Sequence, residues 1–219
     1  MNKTKIEWTD YTINPIKGKC KMNCDYCYAL RLYDRFKWNP EIRFAFEEFD
    51  KLKKLKSPSK IFLCSTHELF GNWITNEQIE AILKFVHLYP QHIFQILTKN
   101  PVRMMGFVFP KNVWTGVTIT NQEDVDSGKV VYLKQTYSTI KFISFEPLHS
   151  EIHCDLDGID WIIVGAETGN RKGKIVPNPS WIENLIIQAG RYDIPVFIKN
   201  NIKWGKKIQE FPNTIKKKV

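Results

Sequence analysis

The stretch IFLCSTHELFGNWITNEQIEAILKFVHLYPQHIFQIL, residues 61–97, decides how this chain folds. It opens on an apolar run, Ile61-Phe62-Leu63-Cys64, and closes on another, Ile93-Phe94-Gln95-Ile96-Leu97. Between them Thr75-Asn76-Glu77-Gln78 reads as a helix start. Ile79, Ile82, Leu83 and Val86 then fall on one stripe, and Pro90 stops the helix. Strand, helix, strand, with both strands apolar along their length, suits a parallel pair buried on both faces.

Outward from this unit the pattern repeats. Val113–Ile119, Phe142–Phe145, Trp161–Val164 and Val196–Ile198 read as further strands. Asn121–Gln135 fits a crossover helix, and Pro179-Ser180 opens another through Trp181, Leu185 and Ile186. An early strand near Ile6–Trp8 or Tyr11–Ile13 brings the count to six or seven. The expectation is an α/β protein of one domain, 1–219, folded as a partial (β/α)6 TIM-like barrel. That is fewer strands than the eight of a closed barrel; an open flavodoxin-like sheet is the alternative.

Just past each strand the chain turns polar: Ser65-Thr66-His67-Glu68, Thr98-Lys99-Asn100, Thr118, Thr120-Asn121, Glu146, Glu167-Thr168 and Lys199-Asn200. Active sites of α/β barrels and open α/β sheets form at that edge. Thr98, Thr120 and Asn121 serve equally well as helix caps. Glu146 and Glu167, each directly behind a hydrophobic strand, are candidate site residues.

Ahead of the series lies Cys20-Lys21-Met22-Asn23-Cys24-Asp25-Tyr26-Cys27, a C-x3-C-x2-C run within an expected loop 14–28. Thiolates so spaced can converge on one metal centre. Three donors without an adjacent fourth suggest a [4Fe-4S] cube with one iron left open. Structural zinc wants four ligands, with the fourth here drawn from a distant Cys64, Cys154 or His67. The five cysteines are an odd number, which argues against a disulfide framework. Cys64 and Cys154 otherwise read as ordinary packed residues.

The formal net charge is +9, which admits polyanionic partners without requiring them. The basic clusters, Lys51-Lys53-Lys54-Lys56 and the C-terminal tail of about 206–219 ending in Lys216-Lys217-Lys218, read first as solvated surface. No apolar stretch approaches a membrane span, and MNKTKIEWTD lacks the apolar core of a signal peptide, so a cytoplasmic protein is expected.

The cysteine spacing, with Tyr26 before the last thiol, resembles the signature of the radical S-adenosylmethionine superfamily, whose usual fold is a partial (β/α)6 barrel. Lys5–Asp10, Ser65–Phe70, Gln95–Pro101, Trp114–Ile119, Phe142–Pro147 and Asp160–Glu167 extend the likeness to its phage-associated three-Cys-motif branch. Phe145 and His67-Glu68 depart from residues common there. The resemblance implies that Cys20, Cys24 and Cys27 bind the cube and that S-adenosylmethionine chelates the open iron and is reductively cleaved. It also implies an external one-electron reductant such as flavodoxin or ferredoxin. Carried over by position, Tyr26 lies against the adenine, Ser65 and Thr66 meet the amino group, Lys99 the carboxylate, and Thr118 and Asn121 the ribose.

For the substrate, a mouth holding Glu7, Asp10, Glu68, Glu146 and Glu167 against Lys99 and Lys199 favours a small cationic base over a phosphate backbone. Within the branch this is similar to queuine lyase, which releases an aminomethyl deazaguanine by C–N cleavage. Glu146 and Glu167 would read the base, Asp10 or Glu68 the diol or amine, and Trp8 or Trp114 would stack. Modification of DNA or RNA with a flipped base is the alternative; a zinc-stabilised binding module is the third reading.

Overall fold

Each β-rich run of the sequence pairs in parallel with the next. The computed structural model describes residues 3–169 and 171–213. The strands are β1 (Tyr11–Ile13), β2 (Ile16–Lys17), β3 (Arg43–Phe44), β4 (Lys60–Leu63), β5 (Ile93–Thr98), β6 (Val113–Thr118), β7 (Ile140–Phe145), β8 (Trp161–Val164) and β9 (Val196–Ile198). The α-helices are α1 (Tyr28–Phe36), α2 (Asn76–His87), α3 (Gln122–Asp126), α4 (Lys129–Lys134) and α5 (Pro179–Gly190), with 3-10 helices at Phe46–Lys54 and Pro101–Gly106. Seven strands form one parallel sheet in the order β1-β4-β5-β6-β7-β8-β9, curled into a half-barrel. The open flavodoxin-like alternative is thereby set aside: strand order follows chain order from β4 onward, without the reversal that winding an open sheet requires.

Of the two early candidates, Tyr11–Ile13 is the strand, and Ile6–Trp8 forms a turn. Thr75 caps α2 with a reciprocal bond pattern: Gln78 N donates to its hydroxyl at 3.3 Å, while Thr75 N donates to Gln78 Oε1 at 2.9 Å. The expected crossover helix over Asn121–Gln135 is instead two short helices. The break falls at Ser127-Gly128, where Gly128 takes φ +83°, a conformation that ends α3 and restarts the chain as α4. Helix α1, which follows the cysteine loop directly, was not expected; its N-cap, Cys27, makes no side-chain capping bond, so no start signal precedes it.

Alternation along the strands separates two cores. On β7, Ile143 and Phe145 face the helices, while Ile140 and Phe142 face the concave interior. The interior core is aromatic: Trp8, Phe62, Trp114, Phe142, Trp161 and Phe197. Phe142 is wholly buried, and its ring lies over Gly116, where a Cβ would overlap it. The same inward-facing row then turns polar, with Ser144 and Glu146 on β7's side and Thr118 on β6.

Strands β1 and β9 do not pair, and flanking segments fill the gap. Trp8 packs on Phe62 with ring centroids 4.7 Å apart. Glu7 accepts hydrogen bonds from Asn200 N at 2.9 Å and Gln209 Nε2 at 3.1 Å. Lower down, Phe211 lies 5.3 Å from Trp161, whose Nε1 donates to Glu210 O at 2.9 Å. Chain on both sides of the sheet thus seals the half-barrel. Among the described residues no helix is long and apolar enough to cross a membrane. Of the expected basic tail, residues 214–219 lie outside the described residues.

Candidate functional site

A cavity of about 620 Å³ opens at the C-terminal edge of the half-barrel, above the aromatic core. The cysteine loop forms one wall. Its root is fixed before the first thiol: β2 pairs antiparallel with β3, and Gly18 follows at φ +104°, where a side chain would run into the Glu41 carbonyl. Gly18 N donates to Tyr33 Oη at 2.8 Å. Trp73 Nε1 donates to His67 Nε2 at 2.9 Å, so the proton of a neutral His67 sits on Nδ1, which donates to Gly18 O at 3.2 Å. Burial holds the His67 pKa below its ordinary value, in keeping with a neutral ring.

Cys20, Cys24 and Cys27 are free, half-buried, and all line the cavity. Burial pushes the Cys20 thiol up. The Cys27 amide donates to Cys24 O at 3.0 Å, which tightens the turn into α1. Tyr26 meets His149 edge-on at 5.4 Å, and Lys99 Nζ stands 5.9 Å from its ring centre. Burial first, then the neighbouring Cys24, raise the Tyr26 hydroxyl. Tyr28 donates to Ser65 O at 3.2 Å, joining the start of α1 to the loop after β4. There the chain turns through Cys64, at φ +59°, so that Ser65 and Thr66 share Asn14 Oδ1 as acceptor, both at 3.2 Å.

The carboxylates around the mouth have internal partners. Glu68, buried, accepts from the Thr98 hydroxyl at 2.6 Å, Phe70 N at 3.0 Å and Lys99 N at 2.9 Å. Glu146 is paired with Lys199. Glu167, 3 % exposed, takes Arg171 bidentately, Nε at 2.8 Å and Nη2 at 2.7 Å, and accepts from Arg31 Nη2 at 3.3 Å. The Arg171 guanidinium, with Arg31 behind it, holds the Glu167 carboxyl below the usual carboxylate range. Both arginines also grip the cysteine loop. Arg31 Nη2 donates to Tyr26 O at 3.2 Å, and Arg171 Nη1 lies 3.6 Å from Asp25. Glu167 is therefore the hub that ties the end of β8 to the segment between Cys24 and Cys27.

Of the residues expected at the site, the cavity brings together Cys20, Cys24, Cys27, Tyr26, Ser65, Thr66, Lys99, Thr118, Trp8, Glu68, Glu146 and Glu167. Three stand elsewhere. Asn121 caps α3, its Oδ1 accepting from Asp124 N at 3.0 Å. Asp10 precedes β1 at the opposite edge of the sheet and accepts from Lys60 N at 2.8 Å. Trp114, near the start of β6, is 3 % exposed in the aromatic core; it and Asp10 flank a smaller pocket of about 250 Å³ at that opposite edge. Of the five carboxylates expected at the mouth, Glu7, Glu68, Glu146 and Glu167 line the cavity and Asp10 does not. Arg31, Arg171 and His149 were not foreseen. The arginines lie outside the strand-end pattern, and His149 has a buried Nε2 with no partner among the described residues.

No group of three or more His, Cys, Asp or Glu among the described residues is gathered so as to hold a metal ion. A mononuclear ion requires its donors around one point, whereas a cubane cluster takes each thiolate on a different iron. Three free thiols on one loop, lining a cavity, match such a cluster in donor type. His67, with both ring nitrogens engaged, is poorly placed to complete a zinc site.

Fold and site together define a half-barrel α/β protein with a cysteine-walled cavity at the strands' C-terminal edge. The family model described as "Protein of unknown function (DUF5131)" matches residues 3–218, and the chain belongs to that family. Comparison with curated proteins finds no match. Among solved structures the chain is similar to a doubly substituted spore photoproduct lyase with bound AdoMet and dinucleoside spore photoproduct. The identity is 11 % and the TM-score 0.55, over 87 % of this chain and 63 % of that one. At that identity the likeness is one of fold, and this chain spans less than two thirds of the other's length.

Proposed function

We propose that the protein is a radical S-adenosylmethionine enzyme. The observation that carries this reading is the convergence of the three-cysteine loop and the ends of β4, β5 and β6 on one cavity. It is supported by the fold shared with an AdoMet-bound lyase. Cys20, Cys24 and Cys27 would hold a [4Fe-4S] cluster, which when bound would supply the electron that breaks the sulfonium bond of S-adenosylmethionine. The chain's own residues orient and shield. Ser65 and Thr66 would meet the amino group, and Lys99, which has no ion pair among the described residues, the carboxylate. Tyr26 would flank the adenine and Thr118 the ribose, without Asn121.

For the substrate, the reading is a lyase on a small 7-deazaguanine-type base, with queuine C–N cleavage as the specific case. Glu167 has both oxygens committed to arginine, so reading the base falls to Glu146, with Lys199 beside it. One observation favours a second reading, DNA or RNA modification. The mouth's carboxylates are paired, while Lys5 and Lys99 line the cavity without an ion pair among the described residues, so an anionic strand meets less repulsion than the count of acids implies.

The test is to reconstitute the protein without oxygen and reduce it. It is then incubated with S-adenosylmethionine and either queuine or single-stranded oligonucleotides, with mass spectrometry of the products. Formation of 5′-deoxyadenosine with an aminomethyl deazaguanine supports the lyase. The adenosine product with a modified oligonucleotide supports the second reading. No iron and no 5′-deoxyadenosine rejects the class.

A further inference from the structure

Two buried polar atoms at the base of the cavity have no partner among the described residues: Trp8 Nε1 and Ser144 Oγ. Both side chains line the cavity, and they are 2 % and 1 % exposed. Buried donors and acceptors are ordinarily satisfied, and leaving one unmade is costly. The Trp8 ring is packed among three other aromatic rings. Phe62 lies at 4.7 Å, Phe142 at 6.2 Å and Trp161 at 6.4 Å between centroids. Stacking is therefore not what Trp8 offers a ligand; its N–H is. Ser144 follows Phe142 on the same inward row of β7 and precedes Glu146, whose carboxylate faces Lys199. Upward from the aromatic core, the wall thus presents a lone N–H, a hydroxyl, a carboxylate and an ammonium.

We infer that the base of the cavity is a nucleobase subsite. In it Trp8 Nε1 donates to a ring nitrogen or carbonyl of the base, Ser144 bonds the same polar edge, and Glu146 takes a ring or exocyclic N–H. Phe62 and Leu97, which also line the cavity, offer apolar contact to a heterocyclic ring. The polar atoms demand one with donor and acceptor edges, which a plain aromatic ring lacks. The inference rests on the substrate side of the function proposed above and replaces the stacking role first expected of Trp8 with an edge-on hydrogen bond.

The test is calorimetric titration of the full-length protein with 7-deazaguanine, thymidine and indene, an apolar ring system of similar size. Iron content and 5′-deoxyadenosine formation are measured on the same preparations. The expected result is binding of 7-deazaguanine or thymidine but not indene, weakened about fivefold or more by Trp8→Phe and by Ser144→Ala. If Trp8→Phe misfolds, Ser144→Ala carries the comparison. Equal binding of indene, no binding of either nucleobase probe at millimolar concentration, or affinities unchanged by the variants would overturn the subsite. Base binding that depends on Trp8 and Ser144 in protein lacking iron and adenosyl product would sink the radical reading while leaving the subsite standing. The converse pattern would do the opposite.

Discussion

The lower and upper halves of the concave face share strands but not chemistry. Below, Trp114, Phe142, Trp161 and Phe197 pack ring against ring, and Phe211 covers them. Above, the same inward rows end in Thr118, Ser144, Glu146 and Lys199 around a cavity, with the cysteine loop as its wall. The lower half holds the strands in register; the upper half can place polar groups because that register is already secured. Substitutions below should cost stability, and substitutions above should cost ligands.

The sharpest way to break this division is to change a thiol. Cys20→Ser, Cys24→Ser or Cys27→Ser should each remove nearly all iron from reconstituted protein. The denaturation midpoint of the iron-free chain should hardly move. Iron analysis beside urea unfolding checks both halves of the statement, and a variant that keeps its iron would remove that residue from the ligand set. Next comes Phe142→Ala, in the lower half, which should cost about 3–5 kcal/mol of unfolding free energy by urea titration.

Glu167→Gln probes the border between the halves. It breaks the bidentate pair with Arg171 and loosens the grip on Asp25 and Tyr26, with an expected loss of about 1–3 kcal/mol and reduced iron occupancy. Because its folded pKa is lowered, Glu167 contributes its full stabilisation above the ordinary glutamate range and loses it as pH falls through the lowered value. Urea midpoints measured from neutral to acid pH should therefore fall less steeply for Glu167→Gln than for the natural chain. The smallest effect belongs to Asn121→Ala. Losing the cap on α3 should cost about 1 kcal/mol and leave affinity for S-adenosylmethionine, measured by equilibrium dialysis, unchanged; a weakened affinity would return Asn121 to the ribose.

Much of the fold was legible because parallel strands buried on both faces read as unbroken apolar runs. Trp161–Val164 and Val196–Ile198 coincide with β8 and β9, while the run at Phe142 begins two residues earlier, at Ile140. The two-residue strands β2 and β3 are too short to leave a pattern, and α1 begins without a capping signal. At the site, the thiols were legible from spacing. The pairing of Glu167 with Arg31 was not, since 136 residues separate the partners. Trp114 was misplaced for a related reason: alternation gives the face of the sheet a residue points to, but not its height along the barrel relative to the cavity.

Local order in the chain was enough to give the parallel strands and most of the helices between them, the polar edge behind each strand, and the three thiols on one loop. These depend on residue type and short-range periodicity, which one stretch carries by itself. Only the tertiary structure decided which carboxylates are paired, which tryptophan reaches the cavity, and how the gap between β1 and β9 is closed. Apart from the Glu167–Arg171 pair, four residues apart, those outcomes turn on groups far separated in the chain, where distance and burial, not sequence neighbours, set the interaction.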